Sequence, residues 1–500
     1  MPALRFYRPG LIALLAVAAA AIPAVALWHF TVDDALISAR YADHIALGLG
    51  YRFNRVGPVT DGVTPLGWPY VLAMWGGHGP LVVLRAAKLI GLSCWLLGAA
   101  SVGTAIARTC RRRRALLALL LVVCSAPLAA WSVAGMETGF VLGLGALAAA
   151  GRALGMERLA CAAAGLVAAM RPEALPWALT LALAPSNTGS SVGHTARPLD
   201  ALRSRPPRKW MSVLVAIAPF LLVAAVRTIL FGRPAPLAIY AKPSDFAHGW
   251  RYALACFLLA GPLAAVAWRR LEPWCHGLQM AVLVHFCAVA VAGGDWMPLS
   301  RLVVPVLPCV VLASAQALDR SHRWLGAARL ALALGGEAFA LVKVGPAAAR
   351  VGLDRLRVIQ ELGPFLSHAQ AVASVDIGWV GAATDADIVD LAGVTDPAVA
   401  VLPGGHTSKR VPPGLIDGRG VDTIVLLLAG PDELGKPWTE SWFTRAVEQH
   451  VAQMPAMSTE FTPCALSRQP GLPYLVLART TAPSRASCRP CPLGGGTPTP

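Results

Sequence analysis

The chain has 500 residues, of which 56% are hydrophobic and only 14% charged, with a mean hydropathy of +0.58 and a formal net charge of +16. Soluble domains carry about 25% charged residues, so an ordinary soluble class is excluded. The basic excess sits in short clusters between apolar runs (108–114, 203–209, 269–270, 320–323), as cytoplasmic loops do. A nucleic-acid partner, which would need aromatics interleaved on one basic face, is not supported.

Continuous apolar runs rather than alternating ones predict a polytopic α-helical membrane protein and not a β-barrel. The first span is 10–28, with the N-terminus cytoplasmic. Arg5, Arg8 and AVA (24–26) share features of a signal peptide, but the later topology needs this helix, so it is read as uncleaved. Residues 29–80 then form a first outer loop. It opens with TVDDALISARYADHIALGLGYRFN (31–54), in which Asp33 and Asp34 stand beside the bilayer edge. Intramembrane or edge charge generally lines a water-filled site. The segment reads as a short helix with Asp33, Asp34, Arg40 and Tyr41 on a polar face. The run 64–75, interrupted by Pro65, Gly67 and Pro69, reads as an interfacial helix.

Further spans are expected at 81–107, 115–131, 138–152, 158–170, 174–185, 211–230, 250–268, 276–292, 302–318 and 325–344. That makes about eleven, with a cytoplasmic loop at 186–209. Residues 1–345 are thus a transmembrane domain. Residues 346–485 change character. Short β-rich runs at 371–376, 386–391, 422–428 and 473–479 alternate with helical stretches at 351–366 and 438–454. They predict a small extracytoplasmic α/β domain with a mostly parallel sheet. Residues 486–500 read as a disordered tail. Cysteines within the spans read as packing residues, whereas Cys464 with Cys488 or Cys491 suits a disulfide in an oxidising compartment.

On this topology Asp33, Asp34, Arg40, Asp61, Glu137, Arg171, Glu173, Lys242, Asp245, Asp295 and Arg301 all fall on the outer side. An outward cavity at bilayer depth explains that bias. A carboxylate can deprotonate a hydroxyl nucleophile, and Arg or Lys can hold a departing phosphate. The bilayer can deliver a lipid-linked substrate. No P-loop, zincin or hydrolase-elbow motif appears.

The segments DDALISARYADHIALGLGYRFN (33–54), GMETG (135–139), RPEA (171–174), IYAK (239–242), GGDWMPLSRLVVPVLP (293–308) and DIGWVGAATDADIVDLAGVTDP (376–397) occur in order along most of the chain. In this set the chain resembles GT-C-type integral membrane glycosyltransferases, in the branch of the terminal arabinofuranosyltransferases of the mycobacterial cell wall. The resemblance implies a GT-C-like fold in the cytoplasmic (inner) membrane. It also implies transfer from a polyprenyl-phosphate sugar donor to an envelope glycan, lipid or protein acceptor on the outer face. Asp33 matches the family's essential aspartate. The family's Glu-Gly-Tyr is replaced by TDGVTPLGW (60–68), so the resemblance does not carry the sugar.

These readings combine into an inverting transfer. Asp33 is the general base, and Asp34 is its support or a ligand for a divalent cation. Lys242, Arg301 and Arg171 hold the donor phosphate, with Arg40, Tyr41, Glu137, Glu173 and Asp295 in supporting places. No cofactor is assigned beyond that divalent cation. The C-terminal domain is expected to help bind the acceptor through Trp379 and the aspartates of 376–396. The rivals are a flippase or transporter of lipid-linked sugar and a non-catalytic polymer-binding protein. Transporters tend to show internal repeats and midplane polar groups, and neither is evident.

Overall fold

A computed structural model describes residues 8–187, 209–260, 271–320, 323–430, 442–443, 445–469, 471–483, 485 and 488. The described chain forms two compact units. The first comprises Met1–Thr31, Ala87–Val226 and Ser244–Ala349, and the second Val32–Ala86, Arg227–Pro243 and Arg350–Pro500.

Among the described residues, six helices are long and apolar enough to cross a membrane: Pro9–Ala26, Pro80–Thr109, Lys209–Phe231, Pro273–Val291, Arg301–Arg320 and Leu330–Leu366. Arg113–Cys124 and Ala126–Ser132 make a seventh if counted as one span bent by 57°. The bend has a local cause. Ser125 leaves the helical region (ψ 100°), its hydroxyl accepts from Leu128 N at 3.4 Å, and Pro127 begins the second helix.

Among the described residues, not all of the eleven expected spans appear as helices of that length. Runs 138–152, 158–170 and 174–185 form the helices Thr138–Ala153, Glu157–Met170 and Leu175–Leu183, of 16, 14 and 9 residues. At about 1.5 Å per residue, none matches a hydrocarbon core of about 30 Å. The run at 250–268 is described as a helix only over Phe246–Ala260. Its second half, the basic clusters at 203–208 and 269–270, most of the loop 186–209, Cys491 and nearly all of the expected tail lie outside the described residues.

Within the helical unit, small residues let backbones approach. A Cβ on Gly145 would fall 2.0 Å from the Pro305 carbonyl oxygen, and one on Gly143 2.4 Å from that of Cys94. Close packing of this kind holds helices together where lipid removes the hydrophobic drive.

Among its described residues the second unit contains a five-stranded sheet, ordered β2-β1-β3-β5-β4. The strands are β1 (Ala371–Ser374), β2 (Asp387–Asp390), β3 (Thr423–Leu427), β4 (Phe461–Leu466) and β5 (Tyr474–Arg479). β1 pairs in parallel with β2 and β3, and β5 runs antiparallel to β3 and β4. The sheet is therefore mixed rather than mostly parallel. The expected strands are all present. β4 is the addition, an edge strand whose Pro463 falls at a break in register with β5, where a missing N–H is tolerated. Helix Val351–Leu366 forms as expected, whereas the stretch 438–454 is helical over Ala446–Ala452 among its described residues.

Large side chains fill the α/β core, among them Ile424, Leu426, Trp442, Phe443, Val447, Met457, Leu475 and Leu477. Cys464 on β4 is disulfide-bonded to Cys488.

Candidate functional site

Helix Asp33–Ala46 begins at the acidic pair, which lies in its first turn. Both Asp33 and Asp34 are half-buried. The Asp33 carboxylate is held by three donors. Oδ1 accepts from Arg355 Nη1 and from the Trp379 amide, both at 2.9 Å, and Oδ2 accepts from the Gly378 amide at 2.7 Å. Those two amides open the helix Ile377–Ala383, whose N-terminal dipole favours a negative charge. Only glycine fits at 378, because a Cβ there would lie 2.1 Å from the Asp33 carbonyl oxygen. Burial nevertheless pushes the Asp33 carboxyl up to about 6, against Arg355 and with help from nearby Asp376. Asp34 lies within electrostatic reach of Arg355.

Asp376 continues this cluster. It accepts from Arg445 Nη1 and from the Tyr474 hydroxyl, each at 2.7 Å. Burial alone would raise it, but Arg445 holds it below the ordinary carboxylate range. Arg445 also faces Glu448 at 3.6 Å. Glu448 is 1% exposed, and burial pushes it up to about 7.

Most of the other residues expected at the site have partners within the fold. Arg40, 2% exposed, donates to four carbonyls: Phe53 at 2.8 Å, Gly381 at 2.6 Å, Thr384 at 2.8 Å and Ala386 at 2.9 Å. It ties the first loop to the sheet domain. Tyr41 pairs with the Thr60 hydroxyl at 2.6 Å and accepts from Gly62 N at 3.2 Å. Asp61 is buried against Arg227 at 2.8 Å, and Arg227 also binds the carbonyls of Val63 and Thr64. Asp390 and Asp396 organise turns. The first accepts from the amides of Ala392, Gly393 and Thr395, and the second caps the helix Pro397–Ala400. Trp379 is fully buried and tilts against Tyr474 at 4.8 Å, so its face is not offered to a sugar. Lys242 is half-buried and follows the short helix Leu237–Ala241.

Five expected residues gather in the helical unit. Glu137 is fully buried in an ion pair with Arg171, which also donates to Thr138 Oγ1 at 3.1 Å and lies 3.8 Å from Glu173. Arg301 Nε donates to Asp295 at 2.7 Å. Its Nη1 lies 3.6 Å from the sulfur of Met136, the neighbour of Glu137, and its guanidinium stands 5.9 Å from the centre of the Trp131 ring. Asp245 instead caps the helix Phe246–Ala260, accepting from His248 N at 3.0 Å.

Reasoning on the sequence missed Arg355, Arg445, Tyr474 and Lys88. Lys88 is buried on the carbonyls of Trp28 and Phe30, at 2.8 and 2.7 Å. A lone lysine in the apolar run 81–107 is the signal that could have found it. Among the described residues, no group of three or more His, Cys, Asp or Glu side chains is arranged to hold a metal ion.

No protein-family model matches the chain, and no curated protein does. Among solved structures, it is similar to ArnT from Cupriavidus metallidurans, crystallised with undecaprenyl phosphate. The TM-score is 0.56 at 14% identity, over 93% of this chain and 97% of that one. A likeness this long at so low an identity is one of fold: the chain has a helical, ArnT-like membrane fold.

Proposed function

We propose that this protein is a GT-C-type membrane glycosyltransferase that moves a sugar from a polyprenyl-phosphate donor to an envelope acceptor on the outer face of the cytoplasmic membrane. The observation that carries the reading is the likeness over nearly the whole chain to a protein crystallised with undecaprenyl phosphate. The acidic pair heading the Asp33–Ala46 helix supplies the chemistry.

The reaction is a single displacement. Asp33 takes the proton of an acceptor hydroxyl through Oδ2, which carries one hydrogen bond where Oδ1 carries two. The acceptor oxygen attacks the anomeric carbon, that carbon's bond to the phosphate oxygen breaks with inversion, and polyprenyl phosphate leaves. A base with a pKa of about 6 is deprotonated at neutral pH yet still basic enough to be useful. Arg355 and the amides of Gly378 and Trp379 fix its orientation.

Arg301 and Lys242 are assigned to the donor phosphate, the one as a planar fork and the other as a point charge. Arg171 is better placed as a support, because Glu137 and Glu173 already compensate it. The surroundings of Asp34 suit a divalent cation poorly, with Arg355 in reach and no cluster of further ligands among the described residues. No step is therefore routed through a metal. The sugar and acceptor are left open.

The test uses purified full-length protein in detergent with a panel of synthetic polyprenyl-phosphate sugars. Transfer by the wild type separates an enzyme from a flippase or a scaffold. An Asp33→Asn variant that retains the wild-type melting temperature should lose about 10²–10⁴-fold in transfer rate. Wild-type activity in that variant would remove Asp33 from the mechanism.

A further inference from the structure

We infer that Trp131, Tyr252 and His285 are positioning residues for Arg301, clamping a strained left-handed turn that aims its guanidinium at the donor phosphate. The inference rests on the assignment of Arg301 proposed above.

Leu299 and Ser300 have φ of 59° and 54°, and among the described residues they are the only non-glycine residues with positive φ. Such backbone persists in a non-glycine residue only where its surroundings over-determine it, and it clusters at functional sites. Here the surroundings are three side chains from three other segments. Trp131 Nε1 donates to the Leu299 carbonyl at 2.9 Å. The Tyr252 hydroxyl accepts from the Leu302 amide at 3.2 Å, and His285 Nε2 donates to the Leu302 carbonyl at 2.8 Å. The backbone is thus gripped two residues before Arg301 and at both polar groups of the residue after it.

The guanidinium is gripped too. Asp295 binds Nε at 2.7 Å, and the Trp131 ring lies 5.9 Å away. Trp131 therefore acts twice, once on the turn and once beside the charge. A turn needed only to start the helix Arg301–Val306 could use glycine at 299 or 300 without strain. Leucine and serine held there by three clamps specify one direction for the side chain that follows. Fixing a fork-shaped cation matters most where it must meet phosphate oxygens, since small misplacements at a reacting centre are costly.

The experiment measures binding of undecaprenyl phosphate to the purified full-length protein in detergent by calorimetry, alongside its melting temperature. Arg301→Ala comes first. Unchanged binding there refutes the donor assignment, and the positioning inference with it. If Arg301→Ala weakens binding, then Trp131→Phe, Tyr252→Phe and Ser300→Gly should each weaken it by roughly tenfold. The melting temperature should fall modestly in the first two, which leave the Leu299 carbonyl or the Leu302 amide without its partner, and rise in Ser300→Gly, where glycine relieves the turn. His285→Ala should weaken binding, and His285→Gln, which keeps a donor, should restore it. Placed on Arg301→Ala, none of these changes should have a further effect. Wild-type affinity in all of them, or equal weakening in the Arg301→Ala background, would overturn the inference while leaving Arg301 on the phosphate.

Discussion

The two units bury charge in different ways. In the helical unit, backbones meet at glycine, as where Gly145 faces the Pro305 carbonyl, and buried ions pair with partners close along the chain: Glu137 with Arg171, Asp295 with Arg301. In the α/β unit, aromatic and branched side chains fill the core, and buried ions find partners far away: Asp33 with Arg355, Asp376 with Arg445. Lipid gives apolar helices little reason to associate, so close backbone contact and a few ion pairs must hold them. Water drives the second core together, and its polar cluster must be fully satisfied to be tolerated.

The largest expected effect tests that second requirement. Arg445→Ala leaves the nearly fully buried Glu448 without its counter-charge and Asp376 with Arg355 alone. Removing one partner of a buried pair costs about 3–5 kcal/mol. Hydrogen exchange at the amides of β3 and β5 should show that loss. Unchanged protection would mean that water already screens the cluster.

The pH dependence comes next. Burial raises Asp33 and Asp390 to about 6 and Glu448 to about 7. Between the ordinary carboxylate range and those values, the folded chain binds more protons than the unfolded one. Stability from these groups is therefore present in acid and is lost as pH rises through about 6 to 7. A rise of about two units caps the loss for Asp33 at about 3 kcal/mol. Asp376 acts oppositely, because its lowered pKa contributes stability that disappears only in strong acid. Exchange protection of the sheet, corrected for intrinsic rates, should peak near pH 4–5 and fall towards pH 8. A steady rise over that range would contradict the burial argument.

In the helical unit the comparable change is steric. Gly145→Val puts a side chain where a Cβ would already lie 2.0 Å from the Pro305 oxygen. Overpacking costs about 1–3 kcal/mol, read as a lower melting temperature in detergent. If the variant melts like wild type, close approach is not what holds this pair of segments.

The same contrast explains what could be read from the chain alone. The long helices announce themselves by apolar length, and Val351–Leu366 by its amphipathic period. Strands β1, β2, β3 and β5 show as compact β-branched runs, whereas β4, FTPCAL, is disguised by Pro463 and Cys464. In the helical unit the acid and base of each pair sit in short quotable segments such as GMETG and RPEA, so Glu137, Arg171, Asp295 and Arg301 could be picked out together. The partners of Arg40 could not be read, because they are carbonyls of 53 and 381–386, which no side-chain pattern reveals. Arg355 and Arg445 were missed because their meaning depends on folding the sheet domain first.

The smallest effect concerns the boundary between loop and sheet within the α/β unit. β2 is an edge strand, and its outer side is closed by one side chain rather than by another strand. Asn54 Nδ2 donates to the Ile388 carbonyl, and Asn54 Oδ1 accepts from the Ile388 amide, both at 2.9 Å. The primary amide thus mimics a strand residue and blocks an edge that could otherwise pair with another chain. Asn54→Ala should cost about 1–2 kcal/mol, two side-chain hydrogen bonds at typical net values. It should also raise the fraction of dimer or aggregate seen by light scattering at high concentration. Asn54→Asp turns the donor into a carboxylate oxygen that faces the Ile388 carbonyl, so its cost should be no smaller than that of Asn54→Ala. If Asn54→Ala is as stable and monodisperse as wild type, the edge is protected by its shortness and not by the asparagine.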